Sequence, residues 1–445
     1  MNLAHALRVR RHEQVALVGA GGKSSALFRL GDELAARGWQ VVTTTSTHIE
    51  AGQVAWAPQA LIRPVWDLEA VAALSPADLP HAHTLLIGPT DPQTGRAQGL
   101  PPEVVDALLP ALGLDAVINE ADGARKLPFK APAAHEPVIP PGTTLAVLVV
   151  GIDTVGQPLD AAHVHRPEQI VALTGATPGQ PVTPDLMAAV LAHPQGGLKG
   201  VSPTARVVVL ANKVHSPAEI KAAEALAARL LARPRIRAVA IGALRDPDPI
   251  RMVRGRVATL VLAAGEARRF GQLKQLYPWG DGTLLTHAVD TALASSARPV
   301  IVVLGCQAEA CRAALGERPV QIVLNPDWAQ GQSTSVRAGL AALPENVDGV
   351  LFHLADLPGV TPAVLDALIA RHAATLAPVV WPAYQGRRGN PVLFDRATFP
   401  ELRQVTGDVG GRPVLQAYTR AGTAQRVAVD TLGVLRDVDT LQDLP

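Results

Sequence analysis

The sequence predicts an α/β protein of two domains, each built on a mostly parallel sheet. Three observations lead there. Short apolar, β-branched runs alternate with alanine- and leucine-rich stretches of helical period along all 445 residues. Each half opens with an apolar run that empties into a glycine-bearing loop. Between the halves, residues 242–256 interrupt the pattern with Pro247, Pro249 and a cluster of charges. The domains are therefore set at 1–248 and 256–445, and a chain of this length exceeds what one hydrophobic core usually serves.

Taken in order, the first strand is "VALVGA", residues 15–20, and it runs into Gly19-Ala20-Gly21-Gly22-Lys23-Ser24. Backbone donors at Gly19, Gly21 and Gly22 suit a phosphate, Lys23 suits its outer oxygens, and Ser24 opens a helix whose N-terminus favours an anion. The domain thus reads as P-loop-like, with its first glycine one position late for the Walker spacing. The next strand, 39–46, ends in hydroxyls followed by His48. A third, within 115–132, ends in Glu120 and Asp122, carboxylates suited to Mg²⁺ or a water, with Arg125, Lys126 and Lys130 nearby. A capped turn is the plainer reading of the same residues. Apolar runs at 145–150 and 207–211 are further strands, far shorter than the ~20 residues that span a bilayer. The second continues into "ANKVH", an asparagine-lysine element like those that read guanine, but His215 stands where an aspartate would bind the base.

The second domain opens with strand 257–262 and the loop "VLAAGEARRFGQLKQL". Small residues after Leu262, namely Ala263, Ala264 and Gly265, let backbone N–H groups approach a ligand, and Gly271 keeps the loop from continuing as strand or helix. Arg269 is suited to fork onto two phosphate oxygens, and Lys274 is a compact point charge for an α-phosphate. Strand 298–305 and helix 307–317 follow. Asp356 comes directly after an apolar strand, so its carboxylate is expected at the carboxyl-end crevice where open α/β sheets hold ligands. Mg²⁺ takes one or two carboxylates beside substrate phosphates, which makes Asp356 and Asp439 the expected pair, although Asp439 with Asp443 also reads as a helix cap. Cys306 and Cys311 fit no metal or redox spacing and read as packing residues.

A formal net charge of +1 argues against a nucleic-acid or membrane-surface binder and leaves small anionic ligands open. The first 22 residues lack the apolar core and cleavage site of a secretory signal, so a cytoplasmic location is expected.

Several segments carry a resemblance. Leu262-Ala263-Ala264-Gly265 with Arg269, Gly271 and Lys274, then Asn325, Gly331, Ser333, Ser335 and Gly339, then Asp356, "GRRGNPVLF", "GDVGGRPVL", and Asp437 with Asp439, follow in the order seen in molybdenum cofactor nucleotidyltransferases. The match, nearly all of residues 256–445, resembles the cytidylyltransferase (MocA-like) branch. The resemblance implies a Rossmann-like nucleotidyltransferase domain that moves CMP from CTP to the phosphate of molybdenum-molybdopterin, giving molybdopterin cytosine dinucleotide and pyrophosphate. It implies Mg²⁺ at Asp356 and Asp439, catalysis by Lys274, Arg269 and Asp356, and nucleotide contacts from the loop with Gly331, Ser333 and Ser335. Ala264 stands where guanylyl relatives have glycine, and its methyl narrows a base pocket toward a pyrimidine. Residues 10–245 resemble the YqeC-like family, accessory proteins of molybdenum hydroxylase maturation, with His135, His163 and His165 in the matching segments. A molybdenum hydroxylase or its insertion chaperone is then the implied partner. GTP as donor, a sugar phosphate or methylerythritol phosphate as acceptor, and a non-enzymatic cofactor carrier stay open at this stage.

Overall fold

The computed structural model describes residues 1–266 and 270–443, and these fall into two compact units, Met1–Arg254 and Gly255–Pro445. In the first, strands β1 (Glu13–Gly19), β2 (Val41–Thr45), β3 (Gln59–Ile62), β4 (His83–Ile87), β5 (Ala116–Glu120), β6 (Leu145–Gly151), β7 (Arg206–Asn212) and β8 (Ala238–Gly242) form a sheet of order β8-β7-β6-β1-β5-β2-β4-β3. Each neighbouring pair is parallel. Crossover elements cover both faces, so the central strands are buried throughout and read as unbroken apolar runs rather than alternating ones. Helix α1 (Lys23–Ala35) follows β1 and buries Ala26, Leu27, Leu30, Gly31 and Leu34, a stripe at helical spacing. Parallel strands end at one edge of the sheet. The glycine loop, Glu120, His48 and Lys213 therefore all emerge at the same carboxyl edge.

The second unit takes up β9 (Ile250–Ala263) from Gly255 onward. With β10 (Val300–Leu304), β11 (Gln321–Leu324), β12 (Val347–Leu354), β13 (Val379–Tyr384), β14 (Val392–Asp395) and β15 (Gln425–Ala428) it forms the order β11-β10-β9-β12-β14-β13-β15. The sheet is mostly parallel, with β14 antiparallel to both β12 and β13. Apolar cores lie on its two faces: Val261, Val302, Leu351 and Leu365 belong to one, and Leu260, Val303, Val336 and Phe394 to the other. Cys311 is buried, as expected of a packing residue, and burial pushes its thiol up to about 11.

Residues 242–256 differ from the loose seam that their prolines and charges suggest. Ala243, Leu244, Ile250 and Val253 are buried, and β9 already begins at Ile250. Arg29 donates to the carbonyls of Leu244, Asp246 and Pro247 at 2.6–2.8 Å, and the Ala243 N–H donates to the Pro249 carbonyl. Ile250 and Val253, three residues apart, lie on opposite sides of the strand, and the charged Arg251 and Arg254 beside them stay exposed or half-buried. Among the described residues no helix is long and apolar enough to cross a membrane.

Candidate functional sites

In the N-terminal unit the glycine loop is held by backbone crowding. Gly19, Gly21 and Gly22 have φ of +98°, +87° and +134°, and a Cβ at these positions would collide with the Val149 carbonyl, the Gly151 N–H and the Asn212 amide respectively. Only glycine lets the loop lie so close to β6 and β7. Asn212 fixes it further, its Nδ2 donating to the Gly21 carbonyl at 2.7 Å and its Oδ1 accepting from the Leu244 N–H at 2.9 Å. The asparagine of the apparent base-reading element is thereby engaged in the fold, and Lys213 is paired with Asp153 at 2.8 Å.

Lys23 is buried, and its ammonium donates to the Gly19 carbonyl at 2.7 Å while lying 3.3 Å from Asp122 and 3.6 Å from Glu120. Burial opposes its charge, but Asp122 and Glu120 outweigh this and raise its pKa. Where the sequence suggests an ammonium directed at phosphate, the structure turns it toward two carboxylates at the end of β5, because they are the nearest countercharges. Ser24 Oγ donates to Glu120 at 2.9 Å, and burial pushes the Glu120 carboxyl up. Asp122 accepts from the Gly19 N–H and lies 2.8 Å from Lys130, which also donates to Glu136. The hydroxyls of Thr43, Thr44 and Thr45 are spent inside the sheet, on His83 and on the carbonyls of Leu86 and Glu120. The loop, His48, Glu120, Glu136, His165 and Arg166 line a cavity of about 720 Å³. Of the other histidines, His163 pairs with Asp160 at 2.7 Å and His135 is exposed beside Glu136. Among the described residues no cluster of histidine, cysteine and carboxylate ligands forms.

In the C-terminal unit, Lys274 opens a short turn after the loop, and its ammonium lies 2.7 Å from Asp356 and 3.0 Å from Asp439. Asp356 stands just past the end of β12, and its carbonyl accepts from the Val438 N–H, which brings the chain ending to it. Asp443 accepts from the N–H groups of Asp439 and Thr440, so the capping reading of this segment holds alongside its approach to Lys274. Burial pushes the Asp356 carboxyl up against the pull of Lys274, and Asp437 and Asp439 add to the rise. Its second oxygen, Oδ1, is buried without a hydrogen-bond partner. An orphaned carboxylate oxygen beside a second carboxylate suits a divalent cation, so Asp356 and Asp439 fit the Mg²⁺ that the sequence suggests.

The glycine-rich segments converge nearby. A Cβ on Gly331, at φ +114°, would come within 2.6 Å of the Gly407 backbone, and the Gln332 side-chain oxygen accepts from the Gly410 N–H while the Gln332 backbone N–H donates to Asp408. Leu262, Gln332, Arg388, Asn390, Asp408 and Arg412 line a cavity of about 220 Å³. Gly265 and Gly271 face open space, and Ala264 is buried, its carbonyl accepting from the Cys306 N–H. Asn325 is spent on the Thr334 and Ser335 hydroxyls, and Ser333 Oγ is buried without a partner. Gly339 packs α2 (Gln332–Ala341) against β9, since a Cβ there would meet Leu260 at 2.7 Å. Arg269 lies outside the described residues.

Comparison with known proteins assigns the two units. Residues 259–422 match the MobA-like NTP transferase domain, and residues 15–168 match the YqeC protein family. The chain is 36% identical to the "Uncharacterized protein YqeC" of Escherichia coli (strain K12) over 46% of its own length and 77% of the relative's. The chain belongs to both families. Over 42% of its length it is 32% identical to 94% of the nicotine blue oxidoreductase of Paenarthrobacter nicotinovorans. Over 41% it is 28% identical to 91% of the molybdenum cofactor cytidylyltransferase of Escherichia coli (strain K12). These two names belong to different reaction classes, so they do not by themselves choose a substrate. The MobA-like NTP transferase domain makes the chain a nucleotidyltransferase.

Within that transferase unit, Gln275 has a structural role that no motif marks. Its Nε2 donates to the carbonyls of Ala263 at 3.2 Å and Gly265 at 2.7 Å, which staples the turn carrying Lys274 to the loop. It sits among Leu273, Lys274 and Leu276 with nothing in its spacing to mark it. Arg388, Asn390 and Arg412 lie inside recognised glycine segments, but only the cavity singles them out.

Proposed function

We propose that the C-terminal unit transfers CMP from CTP to the phosphate of molybdenum-molybdopterin, giving molybdopterin cytosine dinucleotide and pyrophosphate. The N-terminal unit is read as a nucleotide-binding maturation module, acting in the cytoplasm toward a molybdenum hydroxylase or its insertion chaperone. The observation that carries the transfer reading is the Lys274 ammonium within 3.0 Å of both Asp356 and Asp439 at the mouth of the loop. A transfer from a triphosphate needs cations where charge develops on the α-phosphate and on the departing pyrophosphate. Lys274 supplies one, Arg269 forks onto phosphate oxygens, and the backbone of Leu262, Ala263, Ala264 and Gly265 gives donors at close range. Gly271, Gly331, Ser333 and Ser335 shape the nucleotide's surroundings, and in the other unit the loop from Gly19 brings Gly21, Gly22, Lys23 and Ser24 to the lining of the proposed phosphate site, Lys23 and Ser24 being held there by Asp122 and Glu120. Mg²⁺ held by Asp356 and Asp439 would add charge neutralisation at the phosphates. The Ala264 methyl favours cytosine over guanine. The similarity to a molybdenum cofactor cytidylyltransferase supports the acceptor.

The test is pyrophosphate release from CTP, GTP and ATP with molybdopterin as acceptor, on the wild-type chain and on Lys274→Ala. CTP is expected to be preferred, and the variant to lose activity by about 10²–10³, the range for removing one preorganised charge-stabilising donor. Near-normal turnover of Lys274→Ala overturns the assignment of the lysine. Redox turnover of a heterocycle with no pyrophosphate release overturns the transfer itself.

A further inference from the structure

The 720 Å³ cavity of the N-terminal unit is far larger than one phosphate needs, and its lining is chemically sorted. Among the described residues it carries seven lysine and arginine side chains against three glutamates, in a chain whose net charge is only +1. Lys23, Lys126, Arg166 and Lys213 have carboxylate partners. Arg96, Arg125 and Arg245 are exposed in the lining and form no ion pair among the described residues. Three guanidiniums beside a glycine loop suit several phosphate groups rather than one.

The wall of the cavity also holds an aromatic surface. Trp56 is 49% exposed and lines it, while Phe28 of α1 steadies the indole through a T-shaped contact with ring centroids 5.5 Å apart. Phe28 stands four residues after Ser24, about 6 Å along the helix axis, and Trp56 lines the same cavity as Gly21, Gly22, Lys23 and Ser24. An open aromatic face in the cavity that holds the loop suits stacking of a planar base. The elements that would read a base edge are occupied: both ends of the Asn212 amide bond to backbone, and Lys213 is paired with Asp153.

We infer that this cavity is a base-tolerant nucleoside polyphosphate site in which Trp56 stacks the base and Arg96, Arg125 and Arg245 take the phosphates beyond the glycine loop. The inference rests on the nucleotide-binding reading of this unit and names its ligand class and its means of selection. Binding is driven by phosphate charge and by stacking, which every base offers. ATP, CTP and GTP therefore bind within about tenfold of one another, the tolerance that stacking confers.

The full chain is titrated with ATP, CTP, GTP and inorganic tripolyphosphate, following tryptophan emission, and with ATP by equilibrium dialysis, since ATP is not the proposed substrate of the transferase unit. Each nucleotide is expected to quench emission, and the ATP quench to vanish in Trp56→Leu. In dialysis Trp56→Leu weakens ATP by about tenfold, Trp56→Phe restores most of the loss, and tripolyphosphate binding is unchanged in both. Arg245→Gln weakens ATP and tripolyphosphate alike. If tripolyphosphate does not bind the wild-type chain, the phosphate site and the reading beneath it fall together. If tripolyphosphate binds but Trp56→Leu leaves ATP unaffected, the stacking platform alone is refuted. Quenching by a phosphorylated pterin and by none of the nucleotides overturns the ligand class.

Discussion

Replacing Lys23 with methionine is expected to weaken the N-terminal unit before it weakens any ligand. The ammonium is 3% exposed and faces Asp122, 2% exposed, and Glu120, 10% exposed. Breaking a buried ion pair from one side costs about 3–5 kcal/mol because the remaining charge has no water to return to. Here the lower end applies. Asp122 keeps Lys130 at 2.8 Å and the Gly19 N–H, and Glu120 keeps Ser24. A loss of about 3 kcal/mol at pH 8 is therefore expected. The deficit depends on pH with a definite sign. Burial already raises the Glu120 carboxyl while Lys23 holds it down, so losing Lys23 raises it further. A carboxyl whose folded pKa lies above its unfolded value penalises folding at higher pH, and the penalty fades as pH falls through the folded value. The variant should recover toward wild type on acidification, by at most about 1.4 kcal/mol per pH unit. Urea unfolding and hydrogen exchange of the β1 and β5 amides at pH 8 and pH 6 read this directly. Lys23→Met combined with Glu120→Gln should regain a large part of the loss, since the buried charge left behind is then gone. A Lys23→Met chain within about 0.5 kcal/mol of wild type at pH 8 would refute the countercharge role.

Gly331→Ala places a Cβ within 2.6 Å of the Gly407 backbone at a φ of +114°, so it should cost more than the ~1 kcal/mol typical of a point mutation and lower CTP turnover with it. Thermal melts and steady-state kinetics check it, and an unperturbed variant would show that the two glycine segments do not need their close approach. Glu136 is pushed up by burial, but Arg166 and Lys130 more than offset this and hold its carboxyl at about 2. Its contribution is present above the ordinary value of 4.5 and is lost as pH falls toward 2, and solvent screening of this half-buried group holds it to about 1–2 kcal/mol. Glu136→Gln should flatten acid unfolding of the full chain between pH 4.5 and 2, and an unchanged acid limb would remove Glu136 from the account.

Unbroken apolar runs such as residues 145–150 determine buried parallel strands by themselves, because a strand covered on both faces has no polar side to show. The glycines at 19, 21 and 22 are equally legible, since the positive φ they adopt excludes most other residues. The ordered segments from Leu262 to Asp439 likewise name the transferase family without any coordinates. What a linear pattern cannot hold is which distant groups meet. Lys274 finds Asp356 82 residues away and Asp439 165 residues away, and Asn212 finds Gly21 across 191 residues. Those meetings follow from strand order, which gathers the carboxyl ends of strands far apart in sequence at one edge. The same closure turns Lys23 toward the carboxylates after β5, spends Asn325 on hydroxyls, makes Gly339 a packing residue, and folds the charged stretch at 250–256 into a strand. Periodicity records whether a side chain is buried. Its partner is decided only when the sheet assembles.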